Sequence, residues 1–193
     1  MHLEAFVTIM EKLIAFDIET TGLYPEQGDR ILEIGAVPIV DNQVSQESGF
    51  EMLINPGTHI PPEISLINGI TDDMVEDAPP LETALPPFLE YIGELPLIAH
   101  NASFDMGFIS YYMKRLDLSP LKNPIIDTLE LSHRAFPQAE THNLDALLKR
   151  LNIRYSRMQR HRSIGDAYLT ALAYIRLRDM PPFVHWYHKV EGS

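Results

Sequence analysis

Cysteine is absent from this 193-residue chain, which excludes a disulfide framework, a thiolate metal site and a cysteine nucleophile. The absence fits either redox state and identifies no compartment. Long apolar runs are also missing, because stretches such as 95–99 are far shorter than the ~20 residues that span a bilayer. Residues 1–10 include Glu4 and lack both a basic leader and a small-residue cleavage site. We therefore expect no secretory signal, no membrane contact and a soluble, cytoplasmic protein.

Basic residues are outnumbered, since 15 lysines and arginines face 27 acidic residues and the formal charge is −12. Phosphate contacts favour basic surfaces, so this charge taken alone argues against nucleic-acid binding. It remains compatible with a metal enzyme that grips a strand end through bound cations. Some basic residues could line a groove, although a solvated helix face explains most of them: Lys114, Arg115, Lys149, Arg150, Arg154, Arg157, Arg160 and Arg162.

The hydrophobic content of 45% is enough for one packed core. We place the domain at 12–178, with an N-terminal extension at 1–11 and a tail at 179–193. Apolar patterns predict strands at 12–20, 30–40, 49–54, 95–100 and 124–127. Helices are predicted at 81–92, 103–116, 128–136, 144–151 and 163–178, with loop and a short helix at 55–80. Strands first and alternating helices later indicate an α/β fold with a mixed sheet covered by helices.

Two carboxylates end the first predicted strand. Asp17 and Glu19 stand at i and i+2, so both side chains point to the same face. Burying such a pair unmatched is costly, because like charges disfavour joint ionisation. Two exposed polar residues at a strand end are the alternative explanation, and the motif alone is weak.

Two further segments carry polar groups where a helix begins. Asp105 falls in the first turn of a predicted helix, where the helix dipole alone would favour a negative charge. His161 precedes the last helix and Asp166 lies in its first turn. A lone histidine is usually a surface or structural residue. This spacing, however, lets a loop-borne histidine and a helix-borne carboxylate address one site from two directions.

These segments together supply four carboxylates and one imidazole. Each carboxylate pair at about 4 Å costs about 4 kcal/mol at an effective dielectric of about 20. Hard divalent cations would relieve that repulsion, and oxygen ligands suit Mg²⁺ or Mn²⁺. Two such ions form the usual clamp for in-line attack on a phosphodiester. A histidine can take the proton of the attacking water near neutral pH.

Three ordered segments, 17–22, 100–105 and 161–166, resemble the three motifs of DEDD-family 3′–5′ exonucleases of the histidine subtype. That family includes the proofreading exonucleases of bacterial DNA polymerase III and ribonuclease T-like enzymes. The resemblance spans roughly 12–178 and extends to 30–37, 69–71 and 126–128. It implies a ribonuclease H-like three-layer fold, with a central mixed β-sheet flanked by helices.

The resemblance also implies residue roles. Asp17, Glu19, Asp105 and Asp166 would hold two divalent cations, and His161 would be the general base. The residues implied to contact substrate are Thr20, Thr21, Leu23, His100 and Phe104. Leu23 falls where the family places an apolar wedge beside the terminal base, although a core leucine is nearly as good an explanation. Packing alone could also explain Phe104.

Two positions depart from the family pattern. Asn68 stands before Gly69-Ile70-Thr71 where relatives often carry histidine, which would alter substrate contacts. Ser163 replaces a frequent alanine without a clear consequence.

The resemblance implies release of 5′-mononucleotides from the 3′ end of single-stranded DNA, in proofreading, repair or end-trimming. An exoribonuclease remains open, because no residue visibly reads the 2′-hydroxyl. The chain has no room for a polymerase domain, so proofreading would need a DNA polymerase subunit as partner. A catalytically silent nucleic-acid-binding scaffold is the alternative from another class, and the presence of all five polar residues argues against it.

Overall fold

The computed structural model describes residues 12–156 and 160–180. The predicted extension at 1–11 and all but the first two residues of the predicted tail lie outside these ranges, so their boundaries stay predictions. Within the described residues, no helix is both long enough and apolar enough to cross a bilayer.

A mixed sheet forms the centre of the described chain. Its strands are β1 (Lys12–Thr20), β2 (Ile31–Val40), β3 (Gln43–Val44), β4 (Phe50–Leu53), β5 (Leu97–Ala99) and β6 (Ile125–Asp127). They are ordered β3-β2-β1-β5-β6, and β4 lies beside β2 as well. β1 pairs antiparallel with β2 and parallel with β5, which pairs parallel with β6. The predicted mixed sheet is therefore confirmed.

Helices cover both faces of this sheet. They are α1 (Pro62–Asn68), α2 (Asp72–Val75), α3 (Leu81–Ile92), α4 (Ala102–Arg115), α5 (Thr128–Ala135), α6 (Leu144–Arg150) and α7 (Ser163–Arg178). The period of two along β1 sends Ile14 and Phe16 to the core shared with α3 and α4. It sends Leu13 and Ala15 to the opposite core, which is shared with α7. This is the expected three-layer α/β arrangement.

The same alternation decides where the acidic end of β1 points. Asp17 and Glu19 continue the series of Leu13 and Ala15, so they lie on the face covered by α7. β5 pairs with β1 only at Ile14 and Ala15. The acidic end of β1 therefore runs past β5 and is left open at the sheet edge where α4 begins.

The segment 41–48, which joins the predicted strands 30–40 and 49–54, forms a hairpin that those predictions did not include. Asp41 and Asn42 have φ values of 48° and 65°, and β3 then pairs back on the end of β2. Positive φ at both central residues is typical of a type I′ turn, in which Asn and Asp are favoured. An Asp-Asn pair between two apolar stretches could have predicted it.

Gly35 permits the close contact between β2 and α7. A Cβ atom at this position would collide with backbone atoms of Ser163 and Ile164 at the start of the helix. Because the colliding atoms are backbone, no side-chain rotation can relieve the overlap. The glycine thus sets how near the helix that carries Asp166 comes to the sheet.

Gly35→Ala should therefore destabilise the protein by about 1–3 kcal/mol, the usual cost of overpacking. Urea unfolding would measure the change. Gly107→Ala is the matched control, because its Cβ would meet nothing within 4 Å and α4 would gain helix propensity. Equal stability changes for the two variants would contradict the proposed close contact.

Candidate active site

Three carboxylates meet at the open end of β1. Asp17 and Glu19 come from the strand, and Asp166 comes from the first turn of α7, which crosses that face. One oxygen from each residue lies within 4.8 Å of the others. The alternative that Asp17 and Glu19 are merely polar residues at a strand end is therefore wrong.

Asp105 lies beside this group at the start of α4. It is only 2% exposed, and its Oδ1 accepts a hydrogen bond of 3.2 Å from the backbone N–H of Ile18. Asp127 at the end of β6 holds the turn that precedes α4, because its carboxylate accepts the N–H groups of Asn101 and Ala102, each at 3.0 Å. Asp105 thus reaches across to β1 instead of simply suiting a helix start.

The electrostatics of the site show mutual repulsion. Burial, followed by the charge of Asp105, raises the pKa of Asp17 well above its ordinary value. Burial and the charge of Asp166 raise the pKa of Glu19 to about 7. Burial raises the pKa of Asp105 to about 8, although the backbone N–H of Ile18 opposes the rise. These carboxylates are held close together without enough positive charge around them.

Asp166 has one oxygen free. Its Oδ2 is paired with Arg160 and accepts the backbone N–H of His161 at 3.3 Å. Its Oδ1 is buried and has no hydrogen-bond partner among the described residues. A buried carboxylate oxygen without a donor, grouped with two further carboxylates, fits the ligand set of a hard divalent cation.

His161 joins the site through its main chain. It stands just before α7, has a left-handed backbone with φ of 62°, and donates its N–H to Asp166. Its side chain is exposed and does not belong to the three-carboxylate group. The imidazole therefore lies at the rim of the site, open to solvent.

Thr20 and Thr21 form a rigid turn after β1. The hydroxyl of Thr20 donates to the carbonyl of Gly22 at 2.6 Å, and that of Thr21 accepts the N–H of Arg30 at 2.9 Å. Both residues are buried, so their hydroxyls shape the loop. Leu23 on this loop is 63% exposed, so the core-leucine alternative is wrong.

His100 and Phe104 lie on the other side of Asp105. His100 Nδ1 is 2.9 Å from Thr128 Oγ1, whose hydroxyl donates to Ala99, so Nδ1 carries the proton. Burial lowers the pKa of His100 to about 4, and its Nε2 is buried without a partner in the described chain. Phe104 is half-buried, with its ring 5.2 Å from that of Phe108, so packing accounts for part of its role.

Three supporting residues had no assigned function in the sequence analysis. Asn68 is buried, its Oδ1 accepts the N–H of Ile70 at 3.0 Å, and its side chain opposes the rise in the pKa of Glu19. Glu33 is fully buried on β2 directly opposite Glu19 and pairs with Arg162. Arg160 contacts Asp166. The sequence could have indicated a buried ion pair at Glu33, because a carboxylate inside the apolar run 31–40 requires a cationic partner.

Comparison with known proteins gives the family. The exonuclease family model (RNase_T) matches residues 14–174. The PolC-type DNA polymerase III of Bacillus subtilis (strain 168) is 40% identical over 168 residues, covering 86% of this chain and 11% of that protein. A DNA polymerase III subunit epsilon-like protein of Rhodobacter capsulatus is 40% identical over 175 residues, covering 88% of this chain and 24% of that protein. The chain thus spans a quarter or less of these relatives' length.

Solved structures give the same class. Exonuclease X in complex with 5′ overhanging duplex DNA matches with 30% identity and a TM-score of 0.68, over 86% of this chain and 91% of that chain. Exonuclease I matches in fold, with 20% identity and a TM-score of 0.77, over 94% and 44% of the two chains.

The chain belongs to the exonuclease (RNase_T) family. Within it, the chain is of the DEDD-type 3′–5′ exonuclease class with DNA polymerase III epsilon-like relatives, as its motifs indicated. The family is divalent-metal dependent, and the carboxylate group supplies the oxygen ligands that such an ion requires.

Burial of the carboxylates and their mutual repulsion should make the metal-free protein less stable as pH rises. The pKa values of Glu19 and Asp105 rise from 4.5 and 3.8 to about 7 and about 8, so the folded state binds more protons than the unfolded state between these limits. Stability therefore falls as pH increases through that window. We expect Tm in EDTA to decrease between pH 5 and pH 8.

Asp17→Asn should raise Tm in EDTA at pH 8 by roughly 2–8 °C, because about 1–2 kcal/mol of repulsion is removed. The same variant should lose most of the stabilisation that Mg²⁺ or Mn²⁺ gives the unaltered protein. Glu90→Gln, at an exposed position on α3, is the control and should change neither quantity. A lower Tm for Asp17→Asn under these conditions would contradict the repulsion.

Proposed function

We propose that this chain is a metal-dependent 3′–5′ exonuclease that shortens single-stranded DNA and releases 5′-mononucleotides. The observation that carries the proposal is the meeting of Asp17, Glu19 and Asp166, with Asp105 alongside, at one open end of the sheet. Their raised pKa values and the unpartnered oxygen of Asp166 are what a cation site requires.

Asp17, Glu19, Asp105 and Asp166 are the residues that would hold two divalent cations, Mg²⁺ or Mn²⁺. Such ions, when bound, lower the pKa of water and stabilise the leaving 3′-oxygen of the scissile bond. The protein's own part is to hold the four carboxylates in place. Ile18 fixes Asp105 through its N–H, and the side chain of Asn68 favours the charged form of Glu19.

His161 is assigned the proton transfer. Its backbone N–H contacts Asp166 and its imidazole is exposed, so a water molecule at the carboxylate group can be within its reach. In this proposal a ring nitrogen of His161 accepts a proton from the attacking water. The water oxygen bonds to phosphorus as the bond between phosphorus and the 3′-oxygen of the preceding nucleotide breaks. That 3′-oxygen takes up a proton from solvent, and the terminal nucleotide leaves with its 5′-phosphate.

The 3′-terminal base is placed against Leu23. This side chain is apolar and largely exposed, and it sits on a loop whose ends are fixed. The hydroxyl of Tyr112 donates to the carbonyl of Asp29 at 2.6 Å and accepts Arg30 Nη1 at 2.8 Å. An apolar contact with the face of a base is sequence-tolerant, which suits an enzyme that removes any nucleotide.

We propose DNA, and not RNA, as the substrate because the names of the similar proteins refer to DNA. Two matching structures are described as exonuclease X with duplex DNA and E. coli exonuclease I with a dA16 oligonucleotide. The curated relatives are a DNA polymerase and a polymerase subunit-like protein. These names support a role in proofreading, repair or end-trimming. They also support a DNA polymerase subunit as the partner of this chain.

Digestion of 5′-labelled single-stranded DNA and RNA with Mg²⁺ or Mn²⁺ tests the activity. We expect a ladder that shortens from the 3′ end, that disappears in EDTA, and that proceeds faster on DNA. Asp17→Ala should lower the rate by at least about 1000-fold, because it removes a ligand of the cations.

Faster digestion of RNA than of DNA would contradict DNA as the substrate and identify the chain as an exoribonuclease. No cleavage of either polymer by folded protein that also binds no Mn²⁺ would overturn the enzyme and leave a nucleic-acid-binding scaffold.

Leu23→Ala should raise KM for single-stranded DNA about 5- to 30-fold, because it removes an apolar contact worth roughly 1–2 kcal/mol, while kcat changes little. Steady-state kinetics on a short oligonucleotide would measure both constants. Val40→Ala is the control. Val40 is also exposed, but it lies at the end of β2 that is far from the carboxylates of β1. An unchanged KM for Leu23→Ala would remove Leu23 from the binding site.

A further inference from the structure

His161 stands between two arginines that are both held by carboxylates. Arg160 precedes it, and its side chain is only 12% exposed. Arg160 Nε lies 2.7 Å from Asp145 Oδ1, and its Nη1 pairs with Asp166. Hydrogen bonding from Arg160 lowers the pKa of Asp145 to about 2, so this partner is ionised at any working pH. The chain before His161 is thereby tied to α6.

Arg162 follows His161 and is tied in another direction. Its Nε lies 3.0 Å from both carboxylate oxygens of Glu33, and its Nη2 also pairs with Glu33. The N–H of Ser163 donates to Glu33 Oε2 at 2.9 Å. Glu33 is fully buried on β2, so this interaction fixes the start of α7 to the central sheet.

The two ion pairs lie on either side of His161, whose backbone conformation is unfavourable for an ordinary residue. The φ of His161 is 62°, and a left-handed conformation costs an ordinary residue about 1–2 kcal/mol. Buried ion pairs contribute little net stability, because desolvation offsets much of their attraction. Their effect here is geometric: Arg160 and Arg162 fix the chain on both sides of one exposed imidazole.

We propose that Arg160 and Arg162 are positioning residues for His161, held in place by Asp145 and Glu33, two carboxylates outside the metal-binding group. The inference rests on the proton-transfer role proposed above for His161. A displaced imidazole would still be present and still titrate, but it would no longer meet the attacking water. Loosening Arg160 at Asp145, with its contact to Asp166 kept, or loosening Arg162 at Glu33 should therefore slow the chemical step and leave binding of DNA and metal intact.

Asp145→Asn and the pair Glu33→Gln with Arg162→Gln test the proposal. The double change removes both buried charges together, so no unpaired ion is left behind. We expect kcat on single-stranded DNA to fall about 3- to 10-fold for Asp145→Asn and about 10- to 100-fold for the double variant. KM for the oligonucleotide and the Kd for Mn²⁺, measured by electron paramagnetic resonance, should stay within about 2-fold.

Repeating both changes in a His161→Gln background separates positioning from general support. If the arginines act through His161, neither change should lower the residual kcat further. Arg176→Gln changes an exposed arginine on α7. It is the control in both backgrounds and should have no effect on kcat.

Equal losses in the two backgrounds would overturn the proposal, and so would a parallel rise in KM or in the Kd for Mn²⁺. If the double variant does not fold, Asp145→Asn alone decides by the same criteria, since Asp145 is half-exposed and the buried Arg160 keeps Asp166 as its partner. Inactivity of the unaltered protein would instead refute the proposed function, so the two failures are distinguishable.

Discussion

The repulsion among carboxylates at the open end of β1 is the constraint on which the rest of the structure depends. Asp17 and Glu19 share one face of the strand, and Asp166 reaches them only because α7 lies close to β2 at Gly35. A free chain would spread these charges apart. The folded scaffold holds them together, and the resulting unfavourable field would favour binding of a divalent cation.

Much of this arrangement was predictable from local patterns. The period of two in β1 placed Asp17 and Glu19 on one face, and helical spacing located the helix that carries Asp166. Asparagine is a favoured N-cap residue, and Asn143, just before the predicted helix 144–151, does accept the N–H of Ala146 on its Oδ1 at 2.9 Å. Such features depend on residues close in sequence, which is why single-sequence reasoning finds them.

The supporting contacts were not predictable in the same way. Glu33 and Arg162 are 129 positions apart, and Ile18 and Asp105 are 87 apart. Local spacing carries no information on such pairs, because only the packed fold decides which cation meets which carboxylate. Arg160 likewise looked like part of a solvated face until its two carboxylate partners were seen.

The carboxylates come from widely separated parts of the chain, at 17–19, at 105 and at 166. β1 is made first during synthesis, yet its acidic end gains its last partner only after α7 has been added and has docked. A nascent chain therefore carries half of a cation site and no complete one. Hydrolytic capacity would then appear in a single step at the end of folding, so affinity for a divalent ion would report the fully assembled domain.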